Sequence, residues 1–196
     1  MTKLHEPTTV RPLDPKNKSY ESYFDQPYAR SYAAGWWTNL ETGEEHVLDT
    51  ESIQQKEVLI MTELAEAVEG DRKDLMDDKL PHRKMIEVEL ADVVIRALDL
   101  SYAMGITLET LNDDINTYKS LMHNVSFTSL THSSCGMIFN GGSNNYKYLL
   151  MVRRILIWGE QNGYDIHGAL IEKMEYNANR ADHKVENRKA EGGKSY

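Results

Sequence analysis

Cysteine is almost absent from this chain and proline is scarce: 196 residues hold one Cys and five Pro. With Cys135 alone, an internal disulfide and a cysteine zinc cluster are both excluded, and a reducing cytoplasm is the simplest compartment. Basic residues are in deficit, 22 against 31 acidic ones, which leaves a formal net charge of -9. Such a balance argues against gripping a nucleic acid polymer by its phosphates, a task that needs a basic surface. A small phosphorylated ligand stays open, provided metal ions supply the charge. No apolar run reaches membrane-spanning length, and "MTKLHEPTTVRPLDPKNKSYES" is polar rather than signal-like, so residues 1–19 are expected as a mobile tail and no membrane partner is expected. Long β runs and internal repeats are missing too. The length suits one core, hence a single domain over 1–196.

What is present is helical spacing. Tyr20, Phe24, Tyr28 and Tyr32 recur every four residues and predict a first helix ending near Gly35. Asp49 or Thr50 can cap a second, "ESIQQKEVLIMTELAEAVEG", that stops around Gly70. The third is "EVELADVVIRALDLSYAMG", ending at Gly105, and Thr107 can cap a fourth through Leu121. From Asn124 to Tyr146, "NVSFTSLTHSSCGMIFNGGSNNY" lacks a helical period and predicts a long mobile loop that can hold a short hairpin of "SFTSL" and "GMIF". Helical spacing returns in "YKYLLMVRRILIWGEQNG" and "GALIEKMEYNANRADHKVENRKA". The expected fold is all-α, a bundle of five to six helices with an irregular insert.

The third helix raises a question of charge. Glu89, Asp92, Arg96 and Asp99 share one narrow face, while Val88, Ala91, Val93, Val94, Ile95, Leu98 and Leu100 cover most of the rest. Unpaired buried charge costs several kcal/mol, so this stripe needs cations, hydrogen bonds or water. The second helix offers a matching pair, Glu63 and Glu66 in "ELAE", against Glu89 and Asp92 in "ELAD". Two antiparallel helices would face the pairs, and four carboxylates without histidine favour Mg²⁺, with Mn²⁺ as a second choice, over zinc. An ExxE on its own is common on solvated helix faces. Arg96 can pair with Asp92 or Asp99, which would make Arg96 and Asp99 structural or supporting residues.

"ELAE", twenty-two residues, then "ELAD" running on as "VVIRALDLSYAMGITLE" resembles the MazG-like all-α nucleoside triphosphate pyrophosphohydrolases, whose signature is ExxE, a spacer and ExxD. The likeness extends to "GWW" at Gly35–Trp37 and to "IEKMEYNANR" at Ile171–Arg180, covering Ala33–Gly105 and Gly168–His183. It implies Mg²⁺-dependent hydrolysis of a (deoxy)nucleoside triphosphate between the α and β phosphates, giving the monophosphate and pyrophosphate. Glu63, Glu66, Glu89 and Asp92 would hold the metal, and Glu63 or Glu66 would orient the attacking water. The chain departs from that pattern by an insert over 121–167, expected to hold a loop and one helix, and by "ADHKVEN" after the arginine.

Lys173, Asn177 and Arg180 stand at i, i+4 and i+7. Spacing alone reads equally as a solvated face; the resemblance makes these residues the phosphate contacts. Trp36 and Trp37 are candidates for stacking on a base, a use that core packing rivals. His82, His123, His132 and His183 lack ligand spacing and are expected on the surface or in loops. "GGKS" near the end is no P-loop, because the required first glycine is Arg188. The apolar third helix and "YLLMVRRILIW" suggest burial in a homodimer or larger assembly. The alternative from another class is a catalytically silent helical module that binds a nucleotide or a partner helix in the same cleft.

Overall fold

The structure is a computed structural model that describes residues 2–106, 119–120, 122–139 and 146–190. Seven α-helices are found among them: α1 Gln26–Ala33, α2 Thr50–Lys73, α3 Met85–Ala103, α4 Phe127–Phe139, α5 Lys147–Asn162, α6 Ile166–Ala178 and α7 Val185–Arg188. Short 3-10 turns lie at Tyr20–Ser22 and Ala181–His183. Among the described residues there is no sheet, only isolated bridges such as Thr2 with Leu48. The all-α expectation therefore holds.

α3 is the axis of the fold and packs against α1, α2, α5 and α6. Its position follows from its composition, since Val88, Leu90, Val93, Val94, Ala97, Leu98 and Leu100 are all fully buried and the hydrophobic gain is largest at the centre. α2 starts on a capping box: Asp49 accepts the backbone N–H of Ser52 at 2.9 Å, and the Ser52 hydroxyl accepts that of Asp49 at 3.0 Å. The helix runs past Gly70 to Lys73. Gly70 is small for another reason: a Cβ there would come within 2.9 Å of the Ile86 backbone nitrogen, where the chain returns as α3.

Several sequence expectations need correction. The first helix begins only at Gln26, because Pro27 suits a first turn and not an interior, so Tyr20 and Phe24 precede it. The stretch from Asn124 holds no hairpin; Phe127–Phe139 is a helix. Its hydroxyl-rich composition reads as a loop, yet the hydroxyls close on the helix itself. Ser126 Oγ accepts the Ser129 N–H at 3.1 Å, and Thr131 and Ser134 donate to the carbonyls of Phe127 and Leu130. Leu130, Ser134 and Ile138 form its buried stripe. The insert thus supplies two helices, α4 and α5, and α4 packs on α5 and α2.

The N-terminal stretch is tied down instead of free. His5 donates its backbone N–H to Ala103 O at 3.0 Å, Arg11 pairs with Asp25 at 2.6 Å, and the buried Gln26 side chain bonds the backbone of Thr9 and Arg11. The last expected helix breaks at Ala178, where Asn179 Nδ2 caps the Glu175 carbonyl at 2.9 Å. The helix expected from Thr107 through Leu121 lies, but for 119–120, outside the described residues. α3 and α5 are covered by the chain's own helices, so their apolar character no longer argues for a partner copy. Nor do the described helices reach across a membrane: none is long and apolar enough.

Candidate functional site

Gly70 touches the start of α3, and Glu63, one segment earlier in α2, lies beside Glu89 and Asp92, so the two helices run antiparallel. One ligand oxygen from each of Glu63, Glu89 and Asp92 falls within 4.8 Å of the others. All three project into a cleft of about 900 Å³ between α2, α3, the end of α1 and the end of α6. Glu66 lines the same cleft but is exposed and stands outside this triad.

Two of the chain's own cations reach the acids. Lys173 on α6 is 5% exposed and places Nζ 2.9 Å from Asp92 Oδ2. Arg96 does not pair with Asp92 or Asp99, as its spacing on α3 allowed; it reaches across to Glu63, with Nε at 2.7 Å and the terminal nitrogen at 2.6 Å. Glu89, 5% exposed, has no ion pair among the described residues. Burial raises its pKa far above the carboxylate range, and the neighbouring Asp92 and Glu63 add to this against the pull of Lys173. Burial likewise raises Asp92, with Glu63 adding and Lys173 and Arg96 opposing, to about 6. Glu66 is raised by burial and by Glu63. Three converging carboxyls with two cationic partners, the third acid held in its neutral form by burial, make a chemically fitting place for a hard divalent cation, which would take the place of that proton.

α6 is held by a second ion-pair group at its base. Arg83 clamps Glu172 with two bonds of 2.8 and 2.9 Å and reaches Glu87 at 3.1 Å. Those pairs hold the Glu172 carboxyl down at about 2, and they tie α6 to the start of α3 one residue before Lys173.

The remaining expected residues divide. Asn177 and Arg180 line the cleft with Lys173, and Asn177 Oδ1 is buried without a hydrogen bond among the described residues. Arg180 stands beyond the end of α6, over the Tyr176 ring at 5.8 Å. Trp36 faces the cleft, edge to face with His183 at 5.2 Å and under the Arg188 guanidinium at 3.6 Å. Trp37 does not: it is fully buried, and its indole donates to Ser31 Oγ at 2.8 Å and to Asp99 Oδ1 at 2.9 Å. A base cannot stack on it.

Spacing did not single out Lys56, Ser31, Asp78 or Lys79, which also line the cleft, and His183 belongs to it, not to an outer loop. Lys56 lies over the Trp37 ring at 4.5 Å. Burial lowers its pKa, partly offset by Asp99, whose own carboxyl burial raises. A signal for Lys56 existed in the sequence, since it precedes Glu63 by seven residues and so shares its face of α2.

No family model matches this chain, and no curated protein or solved structure matches it. The functional reading therefore rests on the cleft itself.

Proposed function

We propose that the cleft is the active site of a Mg²⁺-dependent hydrolase that splits a nucleoside triphosphate into the monophosphate and pyrophosphate. The observation that carries this reading is the buried triad of Glu63, Glu89 and Asp92, with Lys173 rising from the opposite wall. Those three carboxylates, with Glu66 at the rim, would hold the cation, and Mn²⁺ fits the same oxygen donors. When bound, the ion would neutralise phosphate charge and acidify a water.

The chain's own residues account for the rest. Glu66, exposed and raised in pKa, is placed to accept a proton from water, while Glu63 is held on Arg96 and less free to do so. Lys173, Asn177 and Arg180 supply donors along one wall, suited to phosphate oxygens. Water attacks phosphorus in line, its proton passes to the carboxylate, and the P–O bond to pyrophosphate breaks. Trp36 lines the same cleft and offers an aromatic ring that would flank a base. The net charge of -9 fits a small ligand, not a polymer.

The test is incubation with each of the four dNTPs and Mg²⁺, scored for monophosphate and pyrophosphate, against an EDTA control. Release of inorganic phosphate alone, or no release, would overturn the reading. One observation favours the silent alternative. Lys173 and Arg96 already balance two of the three buried acids, so the cleft can persist as a binding module; nucleotide binding without turnover would select it.

A further inference from the structure

Lys56 and Glu63 are seven residues apart on α2, and Asp92 and Asp99 are seven apart on α3. Because the helices run antiparallel, the same two-turn step, about 10.5 Å, carries each from the acidic triad to a second polar layer in which Lys56 faces Asp99. Both layers line the same cleft. The step is on the scale of a nucleoside laid along the groove.

The second layer is unusual in what it leaves open. Ser31 Oγ and Trp37 Nε1 both donate to Asp99 Oδ1, at 2.6 and 2.9 Å. Among the described residues Asp99 Oδ2 accepts nothing, and Lys56 Nζ donates no hydrogen bond and makes no ion pair; it rests on the Trp37 ring at 4.5 Å. A direct Lys–Asp contact would be the cheaper arrangement for two half-buried opposite charges. They are instead held apart, near enough to influence each other and pointed into the same cavity. A donor and an acceptor separated in this way match a ligand edge that presents an acceptor beside a donor.

Resting on the reading that the cleft holds a nucleotide, we infer that Lys56 and Asp99 are its specificity-determining residues. Lys56 donates to a ring carbonyl oxygen, and Asp99 Oδ2 accepts from the adjacent ring N–H. The ligand class is a base with a –CO–NH– edge, uracil, thymine or guanine, in preference to cytosine or adenine. Ser31 and Trp37 act as positioning residues, since they fix which oxygen of Asp99 faces the ligand. Cytosine and adenine also carry an acceptor beside a donor, so the preference comes from orientation: with the phosphate end of the nucleotide at the triad, the base meets the second layer in one register, its exocyclic oxygen at Lys56 and its ring nitrogen at Asp99. A ring N–H is accepted there, whereas the bare ring nitrogen of cytosine or adenine would face the carboxylate and is rejected.

The experiment is calorimetric titration with dUMP, dGMP, dCMP and dAMP in Mg²⁺, of the parent, Lys56→Met and Asp99→Asn. The parent should bind dUMP and dGMP at least about tenfold more tightly than dCMP and dAMP, the factor expected of one mismatched buried hydrogen bond. Lys56→Met keeps the stem on Trp37 but removes the donor, and should erase the preference. Asp99→Asn should reverse it: the retained amide oxygen accepts from Ser31 and Trp37, while the new nitrogen donates, matching the adjacent O2 and N3 acceptors of cytosine. Equal affinity for all four, a parent that prefers dCMP, or no nucleotide binding would overturn the inference. Should Asp99→Asn fail to fold, Lys56→Met decides alone, because it leaves the Ser31 and Trp37 bonds in place. Pyrophosphate release tests the hydrolase reading separately. Selective binding without turnover removes the hydrolase and keeps this inference; equal turnover of all four triphosphates, unchanged by Lys56→Met, does the reverse.

Discussion

Lys173 Nζ stands 2.9 Å from Asp92 Oδ2, with side chains 7% and 13% exposed. This contact explains how the apolar α3 tolerates an acid in its middle: the countercharge arrives from α6, eighty-one residues later in the sequence. It also means that a bound cation and Lys173 compete for one carboxylate. Removing the lysine should therefore act in two directions. In EDTA, Lys173→Met leaves Asp92 buried without its partner and should lose about 3–5 kcal/mol of stability. With Mg²⁺ the variant should gain more in melting temperature than the parent does, and bind the ion more tightly by calorimetry, while triphosphate turnover falls. A variant as stable as the parent in EDTA, with unaltered metal affinity, would show that the pair is incidental.

The titration of the triad gives a signed pH test. Glu89 and Asp92 have folded-state pKa values raised above those of the unfolded chain, Asp92 to about 6. Between the unfolded and folded values the native state holds protons that the unfolded chain releases, so stability falls as pH rises from about 4 through about 6 and beyond. Two groups of other residues must be separated from this. Asp25 and Glu172 are lowered to about 2, and their contribution is complete above pH 5 or so. His46 and His167 are lowered by burial, which makes stability rise with pH up to about 6.5. The measurement is consequently the difference between parent and Glu89→Gln, melted in EDTA from pH 5 to 8. Glu89→Gln should match the parent at pH 5 and exceed it at pH 8, and should lose much of the metal-induced rise in melting temperature. Its turnover should drop on the order of a hundredfold with Mg²⁺ present. Parallel melting curves for the two proteins would mean that Glu89 ionises without cost.

α4 offers a test of structure. Leu130 is fully buried and Ile138 is 5% exposed, both on the face that meets α5 and α2. Leu130→Ala should cost about 2–5 kcal/mol, the usual range for a fully buried leucine. A mobile flap would give a cost near zero. Urea denaturation of the variant separates the outcomes, and loss of cooperative unfolding would join the first of them.

The helices and the acidic face were legible because both follow a 3.6-residue period: α2, α3, α5 and α6 emerge from apolar spacing, and Glu63, Glu89 and Asp92 from the charges that interrupt it. α4 was not, because Ser and Thr signal loops by their affinity for backbone groups, and only the fold shows those bonds turned back along a helix. Partner choice was equally hidden. Arg96 lies one turn from Asp92 and Asp99 in sequence, yet its guanidinium crosses to Glu63 on α2, an outcome set by the distance between two helices. Trp36 and Trp37 are adjacent and chemically identical, and one turns to the cleft while the other is buried. Backbone direction decides that, and nothing in the residue pair reports it.

Arg83 carries the last prediction, because it tests whether Lys173 is aimed by its surroundings. Its guanidinium, 12% exposed, grips both oxygens of Glu172 and also reaches Glu87, joining the base of α3 to α6. Glu87 in turn accepts the Asp165 backbone N–H at the start of α6. Arg83→Ala would leave Glu87 buried with no ion pair among the described residues and should cost about 3 kcal/mol or more, as the breaking of a buried pair does. Freed from the clamp, α6 can shift, and Lys173 then points less well at phosphate, so kcat should fall even where the variant is fully folded. Arg83→Lys restores the charge without the two-pronged grip and should recover most of the stability but only part of kcat. Melting curves fix a temperature at which all three proteins are folded, and turnover is compared there. If kcat at that temperature equals the parent's in both variants, Arg83 serves stability alone and the aim of Lys173 is set by the packing of α6 on α3.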